Sequence, residues 1–204
     1  MLDNTQYDKR FTNRNKIATH NGWMWISVPI NKEHKFLHNK DVGINNNIDW
    51  RSEHWRKIFH SYINAKFFKS YENYFKNVYQ REWELLYDLN FEIIKKIIEF
   101  LRINVDIIEE SELKVTGKAT EKLVNICKKI GADSYISGTG ARDYMDSKLF
   151  EKNNIEILFQ NYSPTQYKQY STSSFIPDLS IIDMLANVGE RSYELITTGK
   201  SQLE

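Results

Sequence analysis

The prediction of the fold starts from the stretch GADSYISGTGARDYMD, residues 131–146. Tyr135 and Ile136 have side chains that favour strands, and they stand between two turn residues, Gly131 and Gly138. This pattern predicts a short buried strand that runs directly into a glycine-rich loop.

The loop after this strand, residues 137–140, has the sequence SGTG. A helix is expected to start within residues 141–144, and the loop would then direct free backbone N–H groups and the positive end of the helix dipole at a ligand. That arrangement indicates an anion-binding site. A strand followed by a glycine turn is also common where no ligand binds, and SGTG matches neither a Walker A loop nor GxGxxG.

The segments on both sides of this stretch predict an α/β unit. Residues 118–132 place apolar side chains at helical spacing and reach a helix-ending glycine, and residues 155–162 alternate as a strand does. Residues 105–113, VDIIEESEL, are expected to form a preceding strand. The order β, α, β, α, β predicts a small, mostly parallel sheet with flanking helices, in which ligands bind outside the carboxyl ends of the strands.

An aromatic-rich region, residues 49–104, is expected to be helical. Asp49 is a suitable N-cap for a first helix, and two further helices are predicted near residues 69–79 and 82–103 from their amphipathic spacing. We interpret this region as a helical subdomain within a single domain that covers residues 1–204.

The histidines raise two separate questions of function. His54 and His60 lie in the predicted helices, where a histidine either packs in the core or acts as an acid–base catalyst. His34 and His38 have a spacing that suits a metal ion in a helix, but no third ligand is evident and their neighbours favour a loop. We therefore expect no metal site, and no sequence motif points to a cofactor.

The opening of the chain, residues 1–19, is polar and lacks a period, so it is expected to be irregular. A strand is predicted after it at residues 23–30, WMWISVPI. The opening also mixes cations with amides and rings, a combination that can hold a phosphate and hydrogen-bond a base or sugar. The alternative is a solvated, frayed chain end. The residues concerned are Gln6, Tyr7, Lys9, Arg10, Phe11, Asn13, Arg14, Asn15 and Lys16.

Beyond the last predicted strand, residues 163–177 carry turn residues and rings without a period and are expected to form a long loop over the sheet. Pro177 is expected to start a helix at its first turn, which Gly189 ends. Asp183 stands among apolar neighbours in that helix, so we expect it either to pair with a buried cation or to face a binding site.

The composition limits the partners of the protein. Its 204 residues contain 28 Lys and Arg against 27 Asp and Glu, and a formal charge of +1 provides no field that would attract nucleic acid or an anionic membrane. The single cysteine, Cys127, lies on the apolar face of its predicted helix and excludes an intrachain disulfide. No apolar run approaches the roughly 18 residues that span a bilayer, and the opening does not look like a secretory signal. We therefore expect a cytoplasmic protein that binds no nucleic acid and does not insert into membranes.

Five blocks of sequence, in order, resemble the WbqC-like proteins, bacterial products often encoded among O-antigen and other surface-polysaccharide genes. Members of that family usually begin with a strand, a loop and a helix before the aspartate block with which this chain opens at Asp3, so the resemblance implies that a first β–α unit is missing here. The blocks are DNTQYDKRFTNRNKI (3–17), WISVPI (25–30), WRSEHWRKIFHSYINAKFF (50–68), GADSYISGTGARDYMD (131–146) and FIPDLSIIDMLANVG (175–189).

The resemblance implies a function in surface-glycan biosynthesis. It favours a transferase that moves an acyl or aminoacyl group onto a nucleotide-linked amino sugar. His54 or Asp143 would then deprotonate the amine, and the amides of residues 138–140 would stabilise the oxyanion. Two alternatives stay open: an ATP-using ligase or nucleotidyltransferase, and a non-catalytic sugar-nucleotide-binding or assembly protein that docks a partner enzyme.

The resemblance also implies that the opening block is an ordered loop that faces the same cleft as residues 137–143. A nucleotide-linked sugar or another phosphorylated small molecule would bind there. The candidate substrate- or phosphate-binding residues are Gln6, Tyr7, Arg10, Asn13, Arg14, Asn15, Ser137, Gly138, Gly140, Tyr144 and Asp183.

Overall fold

The computed structural model describes residues 1–9, 11–198 and 200–203, and the protein has the predicted α/β fold. The chain forms two compact units, each built from separate stretches of sequence: a larger unit of Asn4–Val105 and Gln166–Ile196, and a smaller unit of Met1–Asp3, Asp106–Thr165 and the chain from Thr197. No helix in the described residues is long and apolar enough to cross a membrane. In chain order the elements are β1 (Arg14–Thr19), β2 (Gly22–Ser27), α1 (Trp50–Tyr62), α2 (Phe68–Gln80), α3 (Leu86–Phe100), α4 (Glu110–Leu113), α5 (Ala119–Ile130), β3 (Ser134–Gly138), α6 (Ser147–Lys152), β4 (Glu156–Ser163), α7 (Ile181–Val188), α8 (Ser192–Thr198) and β5 (Lys200–Leu203).

The larger unit begins with an antiparallel hairpin of β1 and β2, in which Thr19 pairs with Gly22 next to the turn. The strand predicted at residues 23–30 is therefore confirmed, but its partner lies in the opening segment that was expected to be irregular. That prediction was wrong because Ile17 and Ala18 are fully buried in the core. Their burial and the hydrogen bonds to β2 stabilise a strand in spite of its polar neighbours.

The three helices predicted within residues 49–104 are confirmed as α1, α2 and α3. Asp49 caps α1, because its Oδ1 accepts a hydrogen bond from the Ser52 amide at 3.3 Å. The buried residues of α1 are four positions apart, so one stripe of the helix faces the core. They are Trp50, His54, Ile58 and Tyr62.

Two apolar clusters form the core of the larger unit. One brings the hairpin together with α1, α2 and α7, and it includes Ile17, Phe68 and Leu185. The other joins Tyr7 and Trp50 to residues of α2 and the start of α3. Because Leu185 comes from the second stretch of this unit, no contiguous segment of the chain contains the whole core.

The smaller unit contains a three-stranded sheet in the order β3, β4, β5. β3 and β4 run parallel, with Tyr135 opposite Ile157, and β5 runs antiparallel to β4. The predicted helix before β3 is confirmed as α5, and it ends at Gly131, whose left-handed φ of 71° turns the chain towards β3. Cys127 packs against Phe150 in an apolar cluster, as predicted, and burial raises the pKa of its thiol.

Residues 105–113 do not form the predicted strand. The chain is irregular there until the short helix α4, and Val105 and Ile108 are exposed. Glu110 is instead buried and pairs with Lys122 of α5. This ion pair attaches the segment to a helix, so the apolar residues before it do not meet the edge of a sheet, where a strand would satisfy its backbone.

The helix predicted to start within residues 141–144 begins later. Thr139–Ala141 form one 3₁₀ turn, and α6 starts only at Ser147. Asp146 caps α6, since its Oδ1 accepts a hydrogen bond from the Leu149 amide at 3.3 Å. A carboxylate of the chain itself therefore occupies the helix terminus that was expected to attract an anion.

The helix predicted from Pro177 is confirmed as α7, but it begins at Ile181. Asp178 adopts a left-handed φ of 58°, which interrupts a right-handed helix directly after the proline. Gly189 ends α7 with a φ of 69°, as predicted.

Candidate functional site

A cavity of about 150 Å³ in the larger unit brings together several of the predicted site residues. Most of its apolar lining comes from the four helices α1, α2, α3 and α7, together with residues 26 and 28 in and just after β2, and most of its polar lining comes from residues 12–15 before and at the start of β1. It is lined by Phe11, Thr12, Asn13, Arg14, Asn15, Ile26, Val28, His54, Ile58, Phe75, Tyr79, Leu89, Asn90, Ile93, Ile97, Ser180, Ile181 and Ile182.

His54 is the buried polar side chain of this lining and is only 4% exposed. Its ring lies edge-on to those of Trp50 and Tyr79, at centroid distances of 5.3 and 5.8 Å. Its Nε2 lies 3.1 Å from the carbonyl oxygen of Ser27. Because that carbonyl can only accept a hydrogen bond, Nε2 carries the proton and Nδ1 presents a lone pair. Nδ1 is buried and has no hydrogen-bond partner among the described residues.

Burial lowers the pKa of His54 to about 4 and outweighs the hydrogen bond to Ser27, which raises it. The imidazole is therefore neutral near neutral pH, and its Nδ1 can accept a hydrogen bond or a proton from an amine or hydroxyl that enters the cavity. The sequence alone left two roles open for His54, packing in the core and acid–base catalysis. The structure shows that it packs in the core and also borders the cavity.

The polar lining is held in place by hydrogen bonds to the surrounding strands and helices. Asn13 donates from Nδ2 to the carbonyl of Val28 at 2.9 Å, and the Val28 amide donates back to the Asn13 carbonyl at 2.8 Å. Asn90 of α3 donates from Nδ2 to the carbonyl of Thr12 at 2.8 Å. The segment before β1 is thus fixed on both sides, and the exposed Arg14 follows it at the solvent side of the cavity.

Other residues of the predicted opening block lie elsewhere. Gln6 is exposed and forms a β-bridge with His38. Tyr7 is buried in the second core cluster, where burial raises the pKa of its hydroxyl. Arg10 lies outside the described residues. Of the described candidate binding residues in the block, Asn13, Arg14 and Asn15 therefore come together with His54, and their neighbours Phe11 and Thr12 line the same cavity.

Asp183 is fully buried in the larger unit and does not line the cavity. Its Oδ2 accepts hydrogen bonds from the Tyr167 hydroxyl at 2.7 Å and from Gln169 Nε2 at 3.0 Å. Gln169 also accepts a bond from the Ile176 amide at 2.8 Å. Burial raises the pKa of Asp183, while the bonds from Tyr167 and Gln169 and the nearby Tyr62 lower it. The partners of Asp183 are therefore hydroxyl and amide groups, and they anchor the loop before α7.

The glycine-rich loop of the smaller unit is open to solvent. Ser137 is half-buried near the end of β3, and Gly138 and Gly140 are exposed. A Cβ placed on either glycine would meet nothing within 4 Å, and neither has a positive φ. Neither packing nor backbone conformation requires glycine at these two positions.

Asp143 and Tyr144 lie in the turn after this loop, and both are exposed. Their neighbour Arg142 stacks its guanidinium on the ring of Phe159, at 4.8 Å from the ring centroid. This turn belongs to the smaller unit and Arg14 belongs to the larger one. The meeting of the opening block with the glycine-rich loop stays a prediction.

The larger unit also has two wider grooves, of about 650 and 930 Å³. Among the described residues, neither groove is lined by a buried polar atom that lacks a partner. His34 uses its Nδ1 to accept a hydrogen bond from the Gly43 amide at 2.9 Å. The part of the chain that the structure describes contains no group of three or more His, Cys, Asp or Glu that could hold a metal ion.

The contribution of α3 to the cavity was not predicted from the sequence. Asn90, Ile93 and Ile97 line it, three or four positions apart along one side of the helix. Asn90 is a polar residue on this otherwise apolar stripe, and that feature could have indicated that the stripe faces something other than core.

Comparison with known proteins places the chain among others of similar sequence. The sequence model of the WbqC-like protein family matches residues 1–195, a range that contains every residue of the cavity. The chain is also similar to a protein of Mycobacterium tuberculosis (strain ATCC 25618 / H37Rv), "Uncharacterized protein Rv1507c". The two are 30% identical over 191 residues, which cover 93% of this chain and 83% of that protein. No solved structure matches the chain.

Proposed function

The chain belongs to the WbqC-like protein family, and from this premise we propose that it is a transferase of bacterial surface-glycan biosynthesis. It moves an acyl or aminoacyl group onto a nucleotide-linked amino sugar, in the cytoplasm and alongside a partner enzyme. The observation that carries the proposal is the cavity of the larger unit, in which a buried histidine nitrogen without a described partner meets an apolar wall.

The size and lining of the cavity support the acyl part of this proposal. Its volume of about 150 Å³ is below the roughly 300–1,000 Å³ of pockets that enclose a whole drug-sized ligand. It therefore holds one ring or a short chain and not a complete nucleotide sugar. Ile26, Ile93 and Ile97 give it apolar sides that favour the transfer of an acyl chain out of water.

His54 is assigned as the base because its Nδ1 has a lone pair and no hydrogen-bond partner among the described residues. The amine of the sugar attacks the acyl carbonyl carbon, a C–N bond forms, and the bond from that carbon to the donor's leaving group breaks. The amine proton passes to Nδ1 of His54 and then to the departing group. A neutral imidazole is needed for the first of these transfers, and burial keeps His54 neutral.

A plug in the cavity tests this proposal without touching a polar group. Ile93→Phe adds a ring to the lining, and since the ring enters empty space the free energy of unfolding should change by less than about 1 kcal/mol. Transfer from a panel of acyl and aminoacyl donors to nucleotide-linked amino sugars, followed by product mass, should fall to background. The matched control is Ile94→Phe, because Ile94 is 38% exposed and does not line the cavity. Full activity of a folded Ile93→Phe protein would contradict the proposal.

The choice of base is tested by two further variants. His54→Gln keeps an amide donor for the Ser27 carbonyl but replaces the basic ring nitrogen with an amide oxygen that does not take up a proton near neutral pH, and it should lower the transfer rate at least about 100-fold. Asp143→Asn should leave the rate within about threefold if His54 is the base. The reverse result would assign the proton transfer to Asp143.

A second candidate is a non-catalytic protein that binds a sugar nucleotide and docks a partner enzyme. The low pKa of His54 favours it, because a nitrogen with a pKa of about 4 accepts hydrogen bonds well but is a weak base. In that case wild-type protein forms no product with any donor, yet it binds the acceptor, and Ile93→Phe abolishes that binding.

A further inference from the structure

The face of the β1–β2 hairpin that bears its tryptophans presents two rings to solvent. The register places Lys16 opposite Trp25 and Ala18 opposite Trp23, so these side chains share one side of the hairpin. Trp23 is 47% exposed and Trp25 is 37% exposed. Trp50 and Trp83, by contrast, are buried in the core. We call this side, with Arg14, Lys16, Trp23 and Trp25, the tryptophan face.

A cationic side chain packs over each exposed ring of the tryptophan face. The guanidinium carbon of Arg14 lies 4.5 Å from the centroid of Trp25, and Nζ of Lys16 lies 5.3 Å from the centroid of Trp23. The two indoles meet edge to face, with centroids 5.6 Å apart and planes at 87°. The cross-strand pairs on this side, which also include Arg14 opposite Ser27, contain no carboxylate. The face therefore combines two exposed aromatic rings with two cationic side chains.

This combination suits one chemical class of ligand. An exposed indole stacks on the flat face of a nucleobase, and an adjacent Arg or Lys binds phosphate oxygens. We propose that the tryptophan face binds the nucleoside diphosphate part of the acceptor, with the base against the Trp23–Trp25 pair and the phosphates at Lys16 and Arg14. Arg14 also lines the cavity, so a ligand whose phosphates reach Arg14 places its sugar at the entrance. The inference deepens the proposed function and rests on it for the link to an amino sugar.

A small ligand fits this face better than a polymer does. Two rings and two cations provide contacts for one base and its phosphates, and the formal charge of +1 provides no field that would hold a long polyanion. A second copy of this chain could also cover exposed tryptophans, and the experiment distinguishes that outcome.

The test measures binding of UDP, GDP, CDP and ADP to the full chain by quenching of tryptophan fluorescence and, separately, by calorimetry. At least one diphosphate should quench saturably, and its nucleoside and inorganic pyrophosphate should each bind at least about tenfold more weakly. Trp23→Leu and Trp25→Leu should each weaken binding about tenfold or more. Lys16→Gln should weaken it and reduce its dependence on salt. The matched control is Lys76→Gln, an exposed lysine of α2 that lines no groove described above, and it should bind as wild type does.

Three results would overturn the inference: no saturable binding of any diphosphate to folded wild-type protein, unchanged affinity in both tryptophan variants, or concentration-dependent dimerisation that both variants abolish. Failure of the proposed function looks different. If the Ile93→Phe plug leaves transfer intact while the tryptophan variants lose diphosphate binding, the acyl cavity is wrong and the tryptophan face stands. If the plug abolishes transfer while the tryptophan variants keep their affinity, only the tryptophan face is wrong.

Discussion

His54 makes the stability of the protein depend on pH. The unfolded chain takes up a proton on this histidine near its ordinary pKa of 6.5, whereas the folded chain resists protonation until about pH 4. The unfolded state therefore binds more protons between these values, and the free energy of unfolding should fall by about 3 kcal/mol as the pH drops through this range. His54→Gln should lose this part of the pH dependence, as measured by urea unfolding at about pH 7 and about pH 4.5.

The comparison needs a histidine change that leaves the core intact. His60→Gln serves, because His60 is exposed on the same helix α1. If the wild-type, His54→Gln and His60→Gln proteins lose the same amount of stability on acidification, the burial of His54 does not control the acid response.

Asp183 allows a second prediction at the level of one carboxyl group. In Asp183→Asn the amide oxygen can take the place of Oδ2 and keep accepting from Tyr167 and Gln169, while the buried negative charge disappears. We expect its free energy of unfolding at neutral pH to lie within about 1 kcal/mol of wild type. Asp183→Ala leaves the half-buried Tyr167 hydroxyl and one N–H of the buried Gln169 amide without this acceptor, and it should cost at least about 2 kcal/mol more than the Asn variant. Urea unfolding of both variants tests this prediction. Equal losses in the free energy of unfolding would show that the hydrogen bonds to Asp183 do not stabilise the protein.

The sign of the Asp183 effect with pH is opposite to that of His54. Burial raises its pKa in the folded state, so the folded chain keeps the proton to a higher pH than the unfolded chain does. This contribution to stability is present at low pH and is lost as the pH rises through the folded-state pKa. Asp183→Asn should therefore gain stability relative to wild type as the pH rises through that region.

At the scale of elements, two glycines beside β3 should respond differently to alanine. Gly131 ends α5 with a φ of 71°, where a side chain is strained although nothing lies within 4 Å. Gly131→Ala should destabilise the protein by about 1 kcal/mol. Gly138→Ala should not, because the φ of Gly138 is −70° and its surroundings are empty. Thermal unfolding compares the two, and a loss of binding or transfer in a fully stable Gly138→Ala protein would indicate a ligand at this loop.

The elements that could be predicted from the sequence are those whose local pattern agrees with their final packing. Local residues mark the boundaries of two such helices: Asp49 caps the start of α1, and Gly131 ends α5. β1 could not be found from its polar composition, although the dipeptide Asn21-Gly22 is a common hairpin-turn signal in sequences; the turn itself consists of His20 and Asn21, and Gly22 already pairs with Thr19. Residues 105–113 have a strand-like composition, but the ion pair of Glu110 with Lys122 decides their path, and such a long-range contact leaves no local pattern.

The candidate site was predictable in part for the same reason. Asn13, Arg14 and Asn15 stand together in the sequence, so they could be recognised as a group. Their meeting with His54 depends on how the hairpin packs on α1, and the contribution of α3 depends on a third element. The apolar part of the cavity looks like ordinary core in the sequence, because only the packed structure shows that the space between these side chains is unfilled.

At the scale of the whole molecule, the core of the larger unit depends on its second stretch. Leu185 of α7 is fully buried in the cluster that contains residues of β1 and α2. Leu185→Ala should lower the free energy of unfolding by about 3 kcal/mol. It should also speed hydrogen exchange of amides in β1 and α2, far away in sequence. Val188→Ala, a half-buried change in the same helix, should have a smaller effect on both, and equal exchange rates in the two variants would contradict this view of the core.

The division of the larger unit into two stretches has a consequence for its synthesis. The ribosome releases β1 and α2 before it has made Asp106–Thr165, and only then does it make α7. During that time the apolar sides of β1 and α2 are not yet covered by α7. Nascent chains aggregate through transiently exposed apolar surface of this kind. Slower growth at low temperature, or additional chaperone, should therefore raise the yield of folded protein in a cell.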